Sequence, residues 1–245
     1  AVIHFAGLKS VEESIKSPLQ YWDVNVRGTI SLLKIMEKNN CKTIVFSSSA
    51  TIYGDAEVCP ISESAEIKPK NPYGNTKFSI EILLKNIFLA GTESWRIANL
   101  RYFNPIGAHP SGLIGEDLNE KPNNLFPYIC KVAIGDYKQL KIFGNDWPTK
   151  DGTGVRDFIH VVDLALAHKS ALQFLFENKP QLITINIGTG KGTSVLELVN
   201  TFTKVNRCSV PYVFVNRRQG DSSYVVANNE LALSLINWKP LRGLE

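Results

Sequence analysis

Thr43-Ile44-Val45-Phe46-Ser47, running into Ser48-Ser49, reads as a short apolar, β-branched strand. On its N-terminal side, Leu19, Trp22, Val26, Ile30, Leu33 and Met36 recur at three- and four-residue steps. That spacing predicts one helix from about Leu19, with Ser17 as N-cap and Pro18 in the first turn. Asn39-Asn40 ends it. Ahead of this helix, residues 1–6 predict a buried strand closed by Gly7. On the C-terminal side, Asn71-Pro72 opens a second helix that continues to about Leu89, and residues 96–103 form a third strand ending at Asn104-Pro105.

Strand, helix, strand, helix, strand with continuous apolar strands predicts an α/β fold: a doubly wound parallel sheet covered on both faces. Ligands of such sheets bind beyond the carboxyl ends of the strands, where Gly7, Ser49 and Asn104 stand. Residues 105–154 change texture, being rich in Gly, Pro and Asn, with one short strand near Leu140–Phe143. An extended stretch at Val155–His160, helices at about Val162–Phe176 and Ser194–Val205, and strands at Leu182–Ile187 and Tyr212–Val215 follow. This second half predicts a smaller mixed α/β lobe with one or two segments returning to the main sheet.

The chain has 245 residues, 44% hydrophobic and 20% charged, a composition that excludes collagen-like, coiled-coil and disordered classes. No apolar run approaches the roughly 18 residues of a membrane helix, so no membrane partner is expected. Lys and Arg total 27 against 23 Asp and Glu, and the basic residues are dispersed, which argues against a nucleic-acid partner. Cys41, Cys59, Cys130 and Cys208 are far apart in sequence, and no Asn-x-Ser/Thr acceptor occurs. Reduced thiols and a cytoplasmic location are the expectation. The apolar run at Ala1 reads as a core strand entered without preamble, as in a chain cut from a longer one.

The strongest chemical signal is Tyr73-Gly74-Asn75-Thr76-Lys77. Tyr73 and Lys77 stand at i and i+4 on one helix, so their side chains are neighbours. A phenol titrates near ~10, and a nearby cation is expected to lower that value and make Tyr73 an acid–base group for an alcohol or sugar hydroxyl. Ser47-Ser48-Ser49 at a strand's carboxyl end supplies hydroxyls for the reacting oxygen, and no Gly-x-Ser-x-Gly elbow makes any of them a hydrolase nucleophile. Gly188-Thr189-Gly190-Lys191-Gly192-Thr193 fails both nucleotide-loop patterns and reads as a strand-to-helix turn with Ser194 near the N-cap. The four histidines have no metal spacing, and no metal is expected. His4 reads as a satisfied core residue.

Several long motifs in order resemble the extended short-chain dehydrogenase/reductase superfamily, and within it the UDP-glucose 4-epimerase family. They are Phe5-Ala6-Gly7-Leu8-Lys9, Ser47 to Gly54, Pro72-Tyr73-Gly74 with Lys77, Arg101-Tyr102-Phe103-Asn104-Pro105, Gly107 to Gly112, Pro122-Asn123-Asn124-Leu125, Gly152 to Asp157, and Arg217 to Asp221. The likeness runs across essentially the whole chain. It implies a Rossmann-like fold whose NAD-binding half is residues 1–104, with a nucleotide-sugar lobe at 105–245. It implies NAD lined by Phe5, Ala6, Gly7, Lys9, Asn25, Ser49, Tyr73, Lys77 and Phe103. It implies catalysis by Ser49, Tyr73 and Lys77: the sugar 4-hydroxyl gives its proton to Tyr73 and a hydride to the nicotinamide, and the 4-keto sugar turns over and is reduced on its other face. The UDP-sugar would be held by Asn104, Asn123, Asn124, Leu125, Arg156, Arg218 and Asp221, with Lys141, Ile142 and Phe143 along the uracil. A homodimer is implied as well.

Two departures accompany the resemblance. The family begins with a strand, a Gly-rich turn and a helix that cradle the pyrophosphate, and none precedes Ala1; Ala1 would then start a middle strand, and the family's final helix would also be absent. Val225 stands where the family gates the sugar's 2-substituent, and its small size implies acceptance of UDP-N-acetylhexosamines, with Tyr224 the neighbour able to fill that space. The alternatives are a nucleotide-sugar 4,6-dehydratase, which needs an acidic pair where Ala50-Thr51 stand, a decarboxylase of the same superfamily, or a non-catalytic remnant that binds a nucleotide sugar.

Overall fold

Alternate residues of Thr43–Ser49 enter two separate cores, and this divides the molecule into layers. The computed structural model describes residues 1–90, 94–116, 122, 124–218 and 221–245. β1 (Val2–His4) leads through α1 (Val11–Lys16) and α2 (Pro18–Tyr21) into a π-helical stretch, Trp22–Arg27, and α3 (Gly28–Lys38). β2 (Thr43–Ser49), a 3-10 turn at Ala50–Tyr53, α4 (Pro72–Ala90) and β3 (Arg96–Tyr102) complete the first half. The second half runs β4 (Asn104–Ile106), α5 (Leu125–Ala133), β5 (Leu140–Phe143), β6 (Val155–Arg156), β7 (Phe158–His160), α6 (Val161–Glu177) and β8 (Leu182–Ile187). It ends with β9 (Thr193–Ser194), α7 (Val195–Asn206), β10 (Tyr212–Val215), β11 (Tyr224–Val225) and α8 (Glu230–Ile236).

The main sheet is parallel throughout, in the order β1-β2-β3-β8. Ile44, Phe46 and Ile97 turn to one face and pack on Leu33 and Met36 of α3 and on Ile80 and Leu84 of α4. Val45, Ala98, Leu100, Ile185 and Ile187 turn to the other face, against Ala167, Ala171 and Leu175 of α6 and Ala232 and Ile236 of α8. Each buried Val, Leu, Ile, Phe or Met side chain among them contributes roughly 1.5–3 kcal/mol. The expected parallel α/β sheet with helices on both faces is therefore what forms, and β8 is the segment of the second half that returns to it.

The smaller lobe has its own core, in which Ile129 and Val132 of α5, Leu140 and Ile142 of β5, Phe158, and Leu198 and Val199 of α7 meet. β5 pairs with β10, and β11, β6 and β9 form a three-stranded sheet. α7 begins with the reciprocal Ser194–Glu197 capping box, so Gly188 to Thr193 is the expected strand-to-helix turn.

Four sequence expectations change. The first strand is not buried: β1 pairs on one side only among the described residues, and Ile3 is 39% exposed. The helix predicted from Leu19 is preceded by a capped turn, α1, and contains the π-helical stretch. That wider turn slips the phase of the buried face, so Tyr21, Asn25 and Thr29 are buried while Leu19 is 84% exposed. Of the expected apolar face, Leu33 and Met36 are buried, Val26 and Ile30 are half-buried, and Leu19 and Trp22 are exposed. In residues 105–154, α5 was not expected, because Pro127 sits inside a segment surrounded by Gly and Asn; Pro in the first turn is compatible with a helix. α8 likewise lies near the end of the chain, where no helix was expected.

Candidate active site

β2 ends at Ser49 and α4 begins at Pro72, so the serines and the Tyr73–Lys77 pair meet at the carboxyl ends of the strands. Asn71 Oδ1 accepts from Gly74 N at 2.9 Å and starts α4 with Tyr73 in its first turn. Gly74 is closely packed there: a Cβ would come within 3.1 Å of the Thr51 carbonyl oxygen and 3.0 Å of Pro69. Lys77 is buried, donates from Nζ to the Ser47 carbonyl oxygen at 2.8 Å, and lies 5.8 Å from the centre of the Tyr73 ring.

The electrostatics depart from the sequence expectation. Burial pushes the Tyr73 phenol above its ordinary value, and the Ser49 hydroxyl set against it pulls back in part. Lys77 does not lower it as expected, because burial acts on the cation too and pushes Lys77 down to about 8. Desolvation of both partners outweighs their attraction. Ser49 Oγ donates to Thr51 Oγ1 at 3.0 Å and accepts from Thr51 N at 3.2 Å, which fixes its rotamer at the strand end.

Asn25 closes the other side. Its Nδ2 donates to Leu8 O and to Thr76 Oγ1, both at 3.1 Å, and its Oδ1 accepts from Leu8 N at 2.7 Å. Thr76 Oγ1 in turn donates to Tyr73 O at 2.7 Å, so the loop after β1 is tied to the turn that carries Tyr73. His4 is a satisfied core residue, 7% exposed with Nε2 at 2.9 Å from Thr29 Oγ1.

The loop Phe5-Ala6-Gly7 lies open at this crevice. Gly7 has φ +156°, and a Cβ there would stand 3.0 Å from Asn25 Oδ1 and 3.9 Å from Lys77 Nζ, so the backbone leaves a cradle beside Tyr73 and Lys77. Phe5 is 58% exposed and rests on His168 at 4.8 Å between rings. Phe103 is buried below, and Lys9 reaches across to Glu116 at 3.0 Å. An open, glycine-lined crevice with an aromatic wall, an amide and an ammonium suits a nicotinamide nucleotide.

A second group of predicted residues gathers on the smaller lobe. Arg156 has little company: Nη1 donates to its own neighbour Val155 O at 2.9 Å. Burial pushes its guanidinium down, Asp221 raises it, and Arg218 nearby lowers it again. Arg218 bonds Asp221 at 3.2 Å and lies 4.4 Å over the Phe143 ring. Two close guanidiniums with one carboxylate between them leave a net positive charge suited to a phosphate. Beside them a cleft is lined by Gly144, Asn145, Asp146, Phe214, Asn216 and Arg217. Lys141 is exposed and Phe143 half-buried, but the Ile142 side chain is in the core, which leaves only its backbone facing outward. Asn104 lies exposed in β4, and Asn124 caps α5 just ahead of Leu125. Asn123 lies outside the described residues.

Asp157 joins the two lobes. Its buried carboxylate accepts from Thr189 N at 2.7 Å, Gly190 N at 2.9 Å and Ala227 N at 3.2 Å, and a Cβ on Gly188 would stand 2.6 Å from it. The glycines of the 188–192 turn thus wrap a carboxylate of the chain itself. Val225 lies on β11 two residues before Ala227, half-buried against the cluster of Ile52, Tyr53, Ile61 and Phe103. Tyr224 points the other way, its hydroxyl 2.7 Å from where a Gly192 Cβ would be, so it does not share Val225's space.

Sequence reasoning passed over Thr76 and Glu81. The four-residue step from Tyr73 through Lys77 continues to Glu81, and that continuation was the available signal. Among the described residues no group of three or more His, Cys, Asp and Glu could hold a metal ion, and no helix is long and apolar enough to cross a membrane. All four cysteines are free.

The profile of the NAD dependent epimerase/dehydratase family matches residues 1–188. The chain is 53% identical, over all its 245 residues and 72% of the other protein, to a UDP-glucose 4-epimerase of Bacillus subtilis (strain 168). Its fold is similar to a crystal structure of UDP-glucose-4-epimerase from Stenotrophomonas maltophila with bound NAD and formylated UDP-arabinopyranose: TM-score 0.96 and 49% identity, over 99% of this chain and 72% of that one. The enzyme from Bifidobacterium longum in complex with NAD+ and UDP gives a TM-score of 0.94 at 45% identity, again over 99% and 72%.

Proposed function

The chain belongs to the NAD dependent epimerase/dehydratase family, and on that premise we propose that it interconverts UDP-galactose and UDP-glucose by NAD-dependent epimerisation at C4, through a 4-keto sugar. The observation that carries the reading is the meeting of Tyr73, Lys77 and Ser49 at the carboxyl end of β2, 2.8 Å from Lys77 Nζ to the Ser47 carbonyl, beside the Gly7 cradle. Phe5, Ala6, Gly7, Lys9, Asn25 and Phe103, with Ser49, Tyr73 and Lys77, hold the cofactor in this account. The nicotinamide, when bound, supplies a hydride acceptor and then a hydride donor, so none is consumed.

Tyr73 takes the proton of the sugar 4-hydroxyl and returns it to the same oxygen when C4 is reduced on its other face. Ser49 holds the same oxygen, its hydroxyl already fixed by Thr51. Lys77 holds the cofactor ribose and supplies the positive charge that the Tyr73 phenolate needs. Arg156, Arg218 and Asp221 take the diphosphate, and Asn104, Asn123, Asn124 and Leu125 the rest of the UDP, with Phe143, Lys141 and the Ile142 backbone along the base. Val225 leaves room for a 2-acetamido group, which extends the substrates to UDP-N-acetylhexosamines.

The same proposal includes a division at residue 104 between cofactor and nucleotide-sugar halves, a cytoplasmic location consistent with four free cysteines, and a homodimer. The dimer reading is supported by a cleft between α3 and α4, lined by Ile30, Leu33, Lys34, Glu37, Leu83, Ile87 and Trp95. The test is conversion of UDP-galactose by the native gene product that carries residues 1–245, with NAD supplied. Formation of UDP-glucose supports the reading, and its absence overturns it.

A further inference from the structure

Beneath the catalytic pair a second polar cluster is buried between α4 and the sheet, and the proton chemistry does not use it. Arg101 of β3 grips Glu81 of α4 at two points, Nε to Oε1 at 3.0 Å and Nη2 to Oε2 at 2.7 Å, with both side chains 6% exposed. Ser48 Oγ donates to the same Oε1 at 2.5 Å. Arg101 Nη1 donates to Tyr53 Oη at 2.8 Å and to Glu63 O at 3.1 Å. Tyr53 passes its own hydrogen to Asn186 Oδ1 at 2.7 Å, and Asn186 Nδ2 donates to Ile61 O at 2.8 Å. The cluster thus joins α4 to β2, β3, β8 and the loop after the Ala50–Tyr53 turn.

A buried ion pair is a poor source of net stability, because desolving both charges offsets their attraction and apolar side chains of similar volume often do as well. What it provides is direction. The contacts of Ile80 and Leu84 with Phe46 and Ile97 are non-directional and tolerate a small slide of the helix, whereas a two-point guanidinium–carboxylate pair does not. Tyr73, Lys77 and Glu81 share one face of α4 at four-residue steps. That face meets three consecutive residues of β2: Ser49 beside Tyr73, the Ser47 carbonyl on Lys77, and Ser48 on Glu81.

We propose that the Glu81–Arg101 ion pair sets the axial register of α4 on the sheet and so holds Tyr73 and Lys77 where they can move the sugar proton. Glu81 and Arg101 are positioning residues in this account, which rests on the function proposed above. The pair acts on geometry and not on substrate affinity.

The test is the double variant Glu81→Leu/Arg101→Met in the native protein, chosen because Glu81→Gln alone strands a buried guanidinium and risks unfolding. The double variant is expected to keep its Tm within about 5 °C and its KM for UDP-galactose and Kd for UDP within about twofold. Its kcat falls about 10- to 100-fold, the scale of a sub-ångström to 1 Å misplacement, and its crystal structure shows the contact between Lys77 Nζ and Ser47 O lengthened. A wild-type kcat in a folded double variant overturns the proposal, as does a kcat loss that merely tracks the unfolded fraction. If wild-type protein shows no conversion, the proposed function fails, and the structural readout alone judges the pair: an unmoved Lys77 refutes it.

Discussion

Lys77 Nζ donates to the Ser47 carbonyl oxygen at 2.8 Å, and this bond spans from α4 to the strand that ends at Ser49. It holds an ammonium in a buried site where its affinity for a proton falls to about 8 from an ordinary 10.5. Function and stability therefore pull in opposite directions at this one residue.

The sign of the stability effect follows from the direction of the shift. Between about 8 and 10.5 the unfolded chain binds a proton at Lys77 that the folded chain does not, so stability rises with pH across that window and the charged lysine costs stability below it. The cost is of order 3 kcal/mol. Lys77→Met is expected to raise the melting temperature at pH 7 by about 5–10 °C while lowering kcat. Calorimetry from pH 6.5 to 10.5 checks it; a melting temperature difference that stays constant with pH contradicts it.

Asp157 is expected to matter for stability and not for chemistry. Asp157→Asn replaces an acceptor for Thr189 N, Gly190 N and Ala227 N with a group that presents its own N–H atoms. A loss of about 1–3 kcal/mol is the consequence of leaving buried donors unmatched, measured by urea unfolding. Unchanged stability would show that the turn at 188–192 holds itself.

Val225 is expected to set tolerance at the sugar's 2-position. Val225→Tyr should suppress turnover of UDP-N-acetylglucosamine at least tenfold and leave UDP-galactose within a few fold, since bulk added at a half-buried position beside Phe103 and Ile52 excludes the larger group first. Equal loss on both substrates would place Val225 in packing alone.

The outer face of α3 and α4 is expected to pair with its copy. Ile87→Glu places a second carboxylate beside Glu37 in the cleft there, and sedimentation of the native protein should change from dimer to monomer. A wild-type monomer contradicts the assignment.

The main sheet was legible because its strands are continuous apolar runs: Thr43–Ser49 and Leu182–Ile187 fall where pattern places them. Tyr73 and Lys77 were legible because a helix turns an i, i+4 spacing into adjacency. The buried face of the first helical segment was not, since the π-helical stretch at Trp22–Arg27 moves Asn25 inward and leaves no trace in a 3.6-residue period. The behaviour of Tyr73 was misjudged for a related reason: sequence shows the cation four residues away but not the burial that penalises both charges. Glu81 and Arg101 read as ordinary charged residues, and only their meeting across α4 and β3 reveals a pair. Arg156, Arg218 and Asp221 were found through resemblance, since long-range contacts bring them together.

In the proposed reaction Tyr73 moves the proton of the sugar 4-hydroxyl. The most direct measurement is the rate of UDP-galactose conversion to UDP-glucose, with NAD supplied, by the native protein and its Tyr73→Phe variant, alongside UDP binding to each. The account predicts a kcat lower by about 10²–10⁴ in the variant with UDP affinity unchanged. Conversion undiminished by loss of the phenol would contradict it.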